Sequence, residues 1–312
     1  MRTIDWLLLL ALSVLWGGSF FFVAIAVREL PPLTLVLARV ALAAALLAPL
    51  ARLRGLPLPR GLAAWRPYAV LAVFNNVLPF CLIVYGQTVI ASGLAAVLNA
   101  TTPLFALLVM RIFAGEPLTS AKLGGVLLGV AGVAILMGPD ALSASAAATI
   151  GMLCVLGAAL SYGISTLWMR RLKGTPPLVT ASAQLVCSAV LLLPAAGIVD
   201  GFWSLPAPGW RSVAAVLGLA ALSTALAYIV FFRINATAGP ANVMLVTLLI
   251  PVSAAALGTL VLGERLAPHQ IAGALVIASA LVLIDGRLVA RLRGRRQMQP
   301  DDARLRARST RQ

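Results

Sequence analysis

Long apolar runs separated by short polar joints set the pattern of this chain. An α-helix crosses the hydrocarbon of a bilayer with about 20 residues at about 1.5 Å each. Ten runs of that order can be read, at 4–26, 33–51, 67–87, 91–113, 120–138, 149–169, 178–199, 211–232, 239–262 and 268–285. The longest joints, 52–66 and 200–210, are too short for a soluble domain. The first run follows Arg2 in the manner of a secretory signal but continues through Phe20, Phe21 and Phe22 to Val27, too far for one, and reads as helix one. The pattern predicts an all-α integral membrane protein.

Two stretches about 148 positions apart are near copies. Gly115-Glu116 follows an apolar run that carries Pro103, and Gly263-Glu264 follows one that carries Pro251, so the interval from proline to glutamate recurs unchanged. At the same offset Asn75 and Asn76 fall on Ser223 and Thr224, Phe80 on Tyr228, Asn99 on Thr247 and Gly125 on Gly273. In the first two helices of each half the offset is 145, which aligns Pro32 with Pro177, Arg39 with Gln184 and Pro49 with Pro194. The expected organisation is a five-helix repeat over 1–140, a second over 141–286, and a basic tail over 287–312 without fixed structure. An odd number of spans per copy sets the second copy upside down relative to the first. Ten helices in two inverted repeats are the architecture of a carrier with its site near the midplane.

Composition agrees: 61% of the 312 residues are hydrophobic and 11% charged, more apolar than a soluble core of this size uses. The net charge of +15 would suit nucleic acid, but the placement of the charges argues otherwise. With both ends in the cytoplasm, 20 of the 24 basic residues fall on the inner side and only Arg28, Arg211 and Arg265 on the outer. This is the positive-inside bias, which predicts a multi-pass protein of the cell membrane with both termini cytoplasmic and a tail lying on anionic lipid, with no nucleic-acid partner. Cys81, Cys154 and Cys187 lie within spans, where they act as small apolar residues.

Polar side chains inside hydrocarbon face protein or a wet cavity, so their distribution maps the interior. Candidates for contact with a solute are Trp16, Ser19, Arg39, Asn75, Asn76, Asn99, Thr102, Tyr162, Ser165, Gln184, Thr224, Tyr228 and Thr247. Pro79, Pro103 and Pro251 are expected to kink their helices and release the carbonyls of Asn75, Asn99 and Thr247. Those carbonyls need a partner, whether water, substrate or a nearby hydroxyl. Arg39 is the one charge well inside a span; it either forks onto a substrate carboxylate or ties helix ends together. Glu116 and Glu264, at helix ends after glycine, read as ties to backbone amides or arginines. Helices five and ten carry almost no polar residue, and are expected outside the cavity as supports or as a surface for a second copy.

Trp16-Gly17-Gly18-Ser19-Phe20, Arg39, Pro103 with Gly115-Glu116-Pro117-Leu118, and Gly239-Pro240-Ala241 through Pro251 to Gly263-Glu264-Arg265-Leu266 together resemble the EamA-type ten-helix transporters of the drug/metabolite transporter superfamily. The resemblance runs from residue 4 to about 286 and implies transport, commonly export, of amino acids or other small metabolites. No catalytic residue, metal-ligand set or cofactor motif is expected. The acids Asp5, Glu29, Asp140, Asp200 and Asp285 lie at helix ends or in joints, which favours a facilitator or exchanger over a proton antiporter. The same placement weakens efflux of lipophilic cations, kept as the alternative. A membrane enzyme acting on lipid would need carboxylate pairs or a histidine with a nearby acid, and His269 has none closer than Glu264.

Overall fold

The structure is a computed structural model that describes residues 3–117, 119–137, 146–239, 243 and 245–285. The basic tail at 287–312, the joint at 138–145, Leu118 and Pro240-Ala241 lie outside the described residues. Eight helices are long and apolar enough to cross a membrane: α1 (Thr3–Ala26), α2 (Pro32–Leu53), α3 (Leu62–Gln87), α4 (Ser92–Ala114), α5 (Ser120–Met137), α6 (Ala146–Leu172), α7 (Pro177–Val199) and α8 (Trp210–Ala238). Two shorter apolar helices follow, α9 (Val246–Leu262) and α10 (Pro268–Ile284). In lipid the backbone has no water to bond, so an apolar run closes its hydrogen bonds within itself as helix. Helix α3 starts at Leu62 rather than at 67, because hydropathy marks the edge of the apolar zone and not the end of the backbone ladder.

Local sequence sets the ends. Pro32 and Pro177 stand in the first turns of α2 and α7, where the missing N–H costs nothing. Gly115 and Gly263 close α4 and α9 in the left-handed conformation, at φ 66° and 69°. Near their middles α3 and α8 each contain a π-helical segment, Val73–Val77 and Ala221–Leu226. The two lie 148 positions apart, the interval at which the sequence repeats.

The packing pairs follow the same correspondence. Helix α2 lies along α7, and α5 along α10. Helix α1 packs on α8 and α9, as α6 does on α3 and α4; α3 meets α7 as α8 meets α2. Glycine permits the closest crossings: a Cβ on Gly86 of α3 would stand 2.8 Å from the Gly151 carbonyl oxygen of α6, and one on Gly132 of α5 2.9 Å from the Ile277 nitrogen of α10. Helices α5 and α10 bury glycine faces on each other and send no side chain into the polar cluster described below.

Three carboxylates stitch one face, the one where α1, α7 and α9 end and α2, α4 and α8 begin. Asp200 accepts hydrogen bonds from the Thr34 N–H and hydroxyl at 2.7 and 2.9 Å. Glu29 accepts from the Gly209 N–H at 2.6 Å. Glu264 accepts from the Ser92 N–H and hydroxyl and the Gly93 N–H at 3.0, 2.7 and 3.2 Å. Each carboxylate sits at a helix N-terminus, where unpaired N–H groups and the helix dipole favour negative charge. The opposite face has the exposed pair Arg170–Glu116 and a Trp168 Nε1–H donating to the Pro67 carbonyl at 2.8 Å.

Candidate functional site

Two apolar clusters hold the bundle. One is built on α1, α4, α6 and α9 and the other on α2, α7, α8 and the end of α1, and Tyr162 of α6 packs against both. Polar side chains from five helices meet beside that tyrosine.

Arg39 enters from α2, about 10 Å of helix rise from its first residue, and is 6% exposed. Its Nε donates to Thr224 Oγ1 at 3.0 Å, and its Cζ stands 3.7 Å over the centre of the Phe80 ring. Thr224 in turn donates to the Leu219 carbonyl at 2.8 Å, five residues back, a reach that the π-helical segment of α8 opens. No carboxylate among the described residues pairs with Arg39.

Around this cation lies a chain of amides and hydroxyls. Asn75 Nδ2 donates to Gln184 Oε1 at 3.0 Å, and Ser165 Oγ approaches Asn75 Oδ1 at 3.2 Å. Asn76, fully buried, donates to Ser188 Oγ at 3.1 Å, while Tyr228 reaches Asn76 Oδ1 at 3.5 Å and Gln184 Nε2 at 3.4 Å. The last two contacts are long and weak. Asn75, Tyr162 and Tyr228 keep partial exposure, so this chain borders open space rather than dry core. The two halves of the chain contribute unlike partners to one centre: Arg39 of α2 covers Phe80 of α3, and at the positions aligned in the sequence Gln184 of α7 reaches Tyr228 of α8.

Eight of the thirteen sequence candidates thus come together: Arg39, Asn75, Asn76, Tyr162, Ser165, Gln184, Thr224 and Tyr228. Five stand apart. Trp16 packs its ring on Phe231, centroids 5.5 Å apart, within the first apolar cluster. Ser19 is half-buried on α1 and makes no hydrogen bond among the described residues. Asn99 ends the first segment of α4 with its Oδ1 buried and unpartnered among the described residues, and Thr102 turns its hydroxyl back onto the Asn99 carbonyl at 2.7 Å. Thr247 lies half-buried on α9.

The proline expectations resolve differently at two positions. At Pro79 the backbone has shifted to the π register, and the carbonyl five residues back is that of Phe74, not Asn75; Ser161 of α6 donates to it at 2.8 Å. At Pro103 the released carbonyl is that of Asn99, as the α register requires, and Thr102 supplies the donor. Ser188 was absent from the candidates. It follows Gln184 by four residues and shares its helix face, which was the signal that could have found it.

Comparison with known proteins agrees with this architecture. The chain is 24% identical over 278 residues to an uncharacterized transporter, YoaV of Bacillus subtilis strain 168, covering 88% of this chain and 94% of that protein. It is 29% identical over 280 residues to the uncharacterized inner membrane transporter YedA of Escherichia coli K12, covering 88% and 89%. One solved crystal structure superposes with a TM-score of 0.64 over 93% of this chain and 100% of that one; at 18% identity this speaks for the fold. The model of the EamA-like transporter family matches twice, over residues 4–138 and 149–285. The chain therefore belongs to the EamA-like transporter family, and is a transporter of solutes across a membrane rather than an enzyme.

Proposed function

We propose that this transporter moves small carboxylate-bearing metabolites, amino acids or close relatives, outward across the cytoplasmic membrane, with Arg39 as the seat of the carboxylate. One observation carries the reading: a buried guanidinium without an acid partner among the described residues, set in a half-open polar cluster where both repeats meet. Burying an unpaired charge costs several kcal/mol. Phe80 and Thr224 offset part of that cost, and an incoming anion offsets the rest. Two guanidinium nitrogens remain for a forked pair of bonds. A bound ammonium or other donor group then faces amide oxygens and phenols rather than a second cation. Lipophilic cations would meet Arg39 as a like charge, which disfavours the efflux alternative.

The mechanism is alternating access by ten spans in two inverted halves, 1–140 and 141–286, rocking about the cluster. Support comes from the paired π-helical segments, the paired glycine caps and the matched helix contacts. The cytoplasmic side is assigned from the bias of basic residues, which leaves both termini and the 287–312 tail on that side against anionic lipid.

The test is reconstitution of the purified protein into liposomes loaded with a mixed metabolite pool, followed by mass analysis of what leaves. Saturable, trans-stimulated exit of carboxylates is expected; exit of cations alone would overturn the substrate reading. Reporters fused at Ser145 and at the carboxyl terminus should mark opposite sides of the membrane. Finding both on one side would end the inverted-repeat reading.

A further inference from the structure

A cavity lies away from the Arg39 cluster. It is a groove of about 970 Å³ bounded by the C-terminal half of α2, Val186 of α7, the start of α3 and the joint at 55–60 between them. Arg52 and Arg60 line its end toward the joint, and Trp65 of α3 forms part of its wall. Along α2 the lining changes to Ala44, Ala45, Ala48 and Pro49. Ala45 and Pro49 are exposed, which puts this stretch of groove on the outside of the bundle, at the depth of the hydrocarbon.

Charge and depth together define what fits. Arg52, Arg54, Arg60 and Arg66 fall within fifteen positions on one joint, and no carboxylate among the described residues pairs with any of them. Two of the four converge on the groove. From Arg52 back to Ala44 the helix climbs about 12 Å, so an occupant with a negative group between the arginines would lay its next 12 Å along small apolar residues open to lipid. A soluble anion satisfies the arginines and leaves the alanine wall bare. A neutral lipid covers the alanines and leaves two guanidinium groups uncompensated.

We propose that this groove is a binding site for an anionic phospholipid of the inner leaflet, its phosphate held by Arg52 and Arg60 and the upper part of an acyl chain lying along Ala44, Ala45 and Ala48. Alanines at these three positions, in place of longer side chains, leave room for a hydrocarbon chain along the helix. The site is separate from the transport cluster: none of the groove's lining residues takes part in the hydrogen-bond chain around Arg39.

The experiment uses full-length protein in detergent micelles carrying a few brominated lipids, so that no charged bilayer surface attracts the arginines in general. Trp65 reports contact by quenching, read as the difference between the wild type and Trp65→Phe. Brominated phosphatidylglycerol is expected to quench at lower mole fraction than brominated phosphatidylcholine, and the double variant Arg52→Gln/Arg60→Gln should lose that preference. The loss is expected to be about fivefold per arginine, the size of one basic residue's attraction to anionic lipid. The control Arg54→Gln/Arg66→Gln removes equal charge outside the groove lining and should keep the preference within about twofold. Equal quenching by the two lipids, equal loss in both double variants, or displacement of phosphatidylglycerol by inorganic phosphate at millimolar concentration would each overturn the proposal; the last would mark a vestibule for soluble anions instead. Should Arg52→Gln/Arg60→Gln fold poorly, Ala45→Phe supplies a second reading: by filling the apolar channel it should weaken phosphatidylglycerol quenching of Trp65 with both arginines in place, and unchanged quenching would count against the site.

Discussion

Replacing Arg39 by glutamine separates a binding role from a structural one, because the two roles predict opposite effects on stability. Among the described residues the guanidinium has one hydrogen bond, to Thr224, and lies over Phe80, with no acid paired to it. Glutamine removes the charge and gives up a bond worth about 1 kcal/mol, while relieving the cost of an unpaired buried cation. The thermal midpoint should therefore shift by less than about 2 °C, or rise. Substrate binding behaves otherwise. A carboxylate forked onto Arg39 loses one charge-assisted bond outright and keeps at most a neutral one, a deficit of about 2–3 kcal/mol. The half-saturating concentration for a carboxylate substrate should rise about 30- to 150-fold, and that of its amide or ester analogue should change by less than about threefold. Flux from proteoliposomes gives the first pair of numbers and unfolding in detergent the second. A fall of stability by 2 kcal/mol or more, with equal loss for charged and neutral solutes, would refute the reasoning and make Arg39 a structural tie.

Asn76→Ala should raise the half-saturating concentration about tenfold, since its fully buried amide bonds Ser188 and lies beside Tyr228; Ser279→Ala on α10, whose hydroxyl only returns to the Leu275 carbonyl, should leave flux within about twofold, and equal effects would erase the distinction between cluster and support. Gly86→Leu should cost about 1–3 kcal/mol in detergent unfolding by driving α3 off the Gly151 backbone. Gly124→Ala is the matched control, with its nearest neighbour atom at 3.8 Å, and should be neutral. Glu264→Ala removes an acceptor with three donors at the start of α4 and should destabilise by about 2 kcal/mol. Glu116→Ala, in a pair whose partners are 46% and 45% exposed, should cost under about 1 kcal/mol; the reverse order would show that the N-terminal ties of α4 carry little.

The spans were legible because hydrocarbon leaves an apolar run only one way to close its backbone bonds, and the described helices follow the runs to within a turn at most ends. The helix ends at Gly115 and Gly263 were legible as well, and the structure closes both in the left-handed conformation that glycine permits. The π-helical segments were not. Pro79 gives a hint in α3, but Ala221–Leu226 of α8 contains no proline or glycine, and a one-residue change of hydrogen-bond register has no compositional mark. That hidden shift aims Thr224 at Arg39 and hands the Phe74 carbonyl to Ser161. The grouping of polar residues by span named eight residues that the structure brings together. Trp16 and Thr102 stand apart from them, because depth along a helix was readable and azimuth was not: Trp16 faces Phe231, and Thr102 bonds its own backbone.

The carboxylate ties of Asp200, Glu29 and Glu264 each run from just past the end of a helix in one half of the chain to the start of a helix in the other half, all on a single side. Parting the two halves there would rupture all of them in one movement. Even discounted for water to about 0.5–1 kcal/mol each, together they weight the vacant protein toward its latched form about tenfold to a hundredfold. Under the alternating access proposed above, a bilayer crowded with idle copies would stay tight against passive leak from that side. The latch would then yield only to cargo that grips the parted form better by the same factor, so the seal itself would set a minimum selectivity for what can be carried.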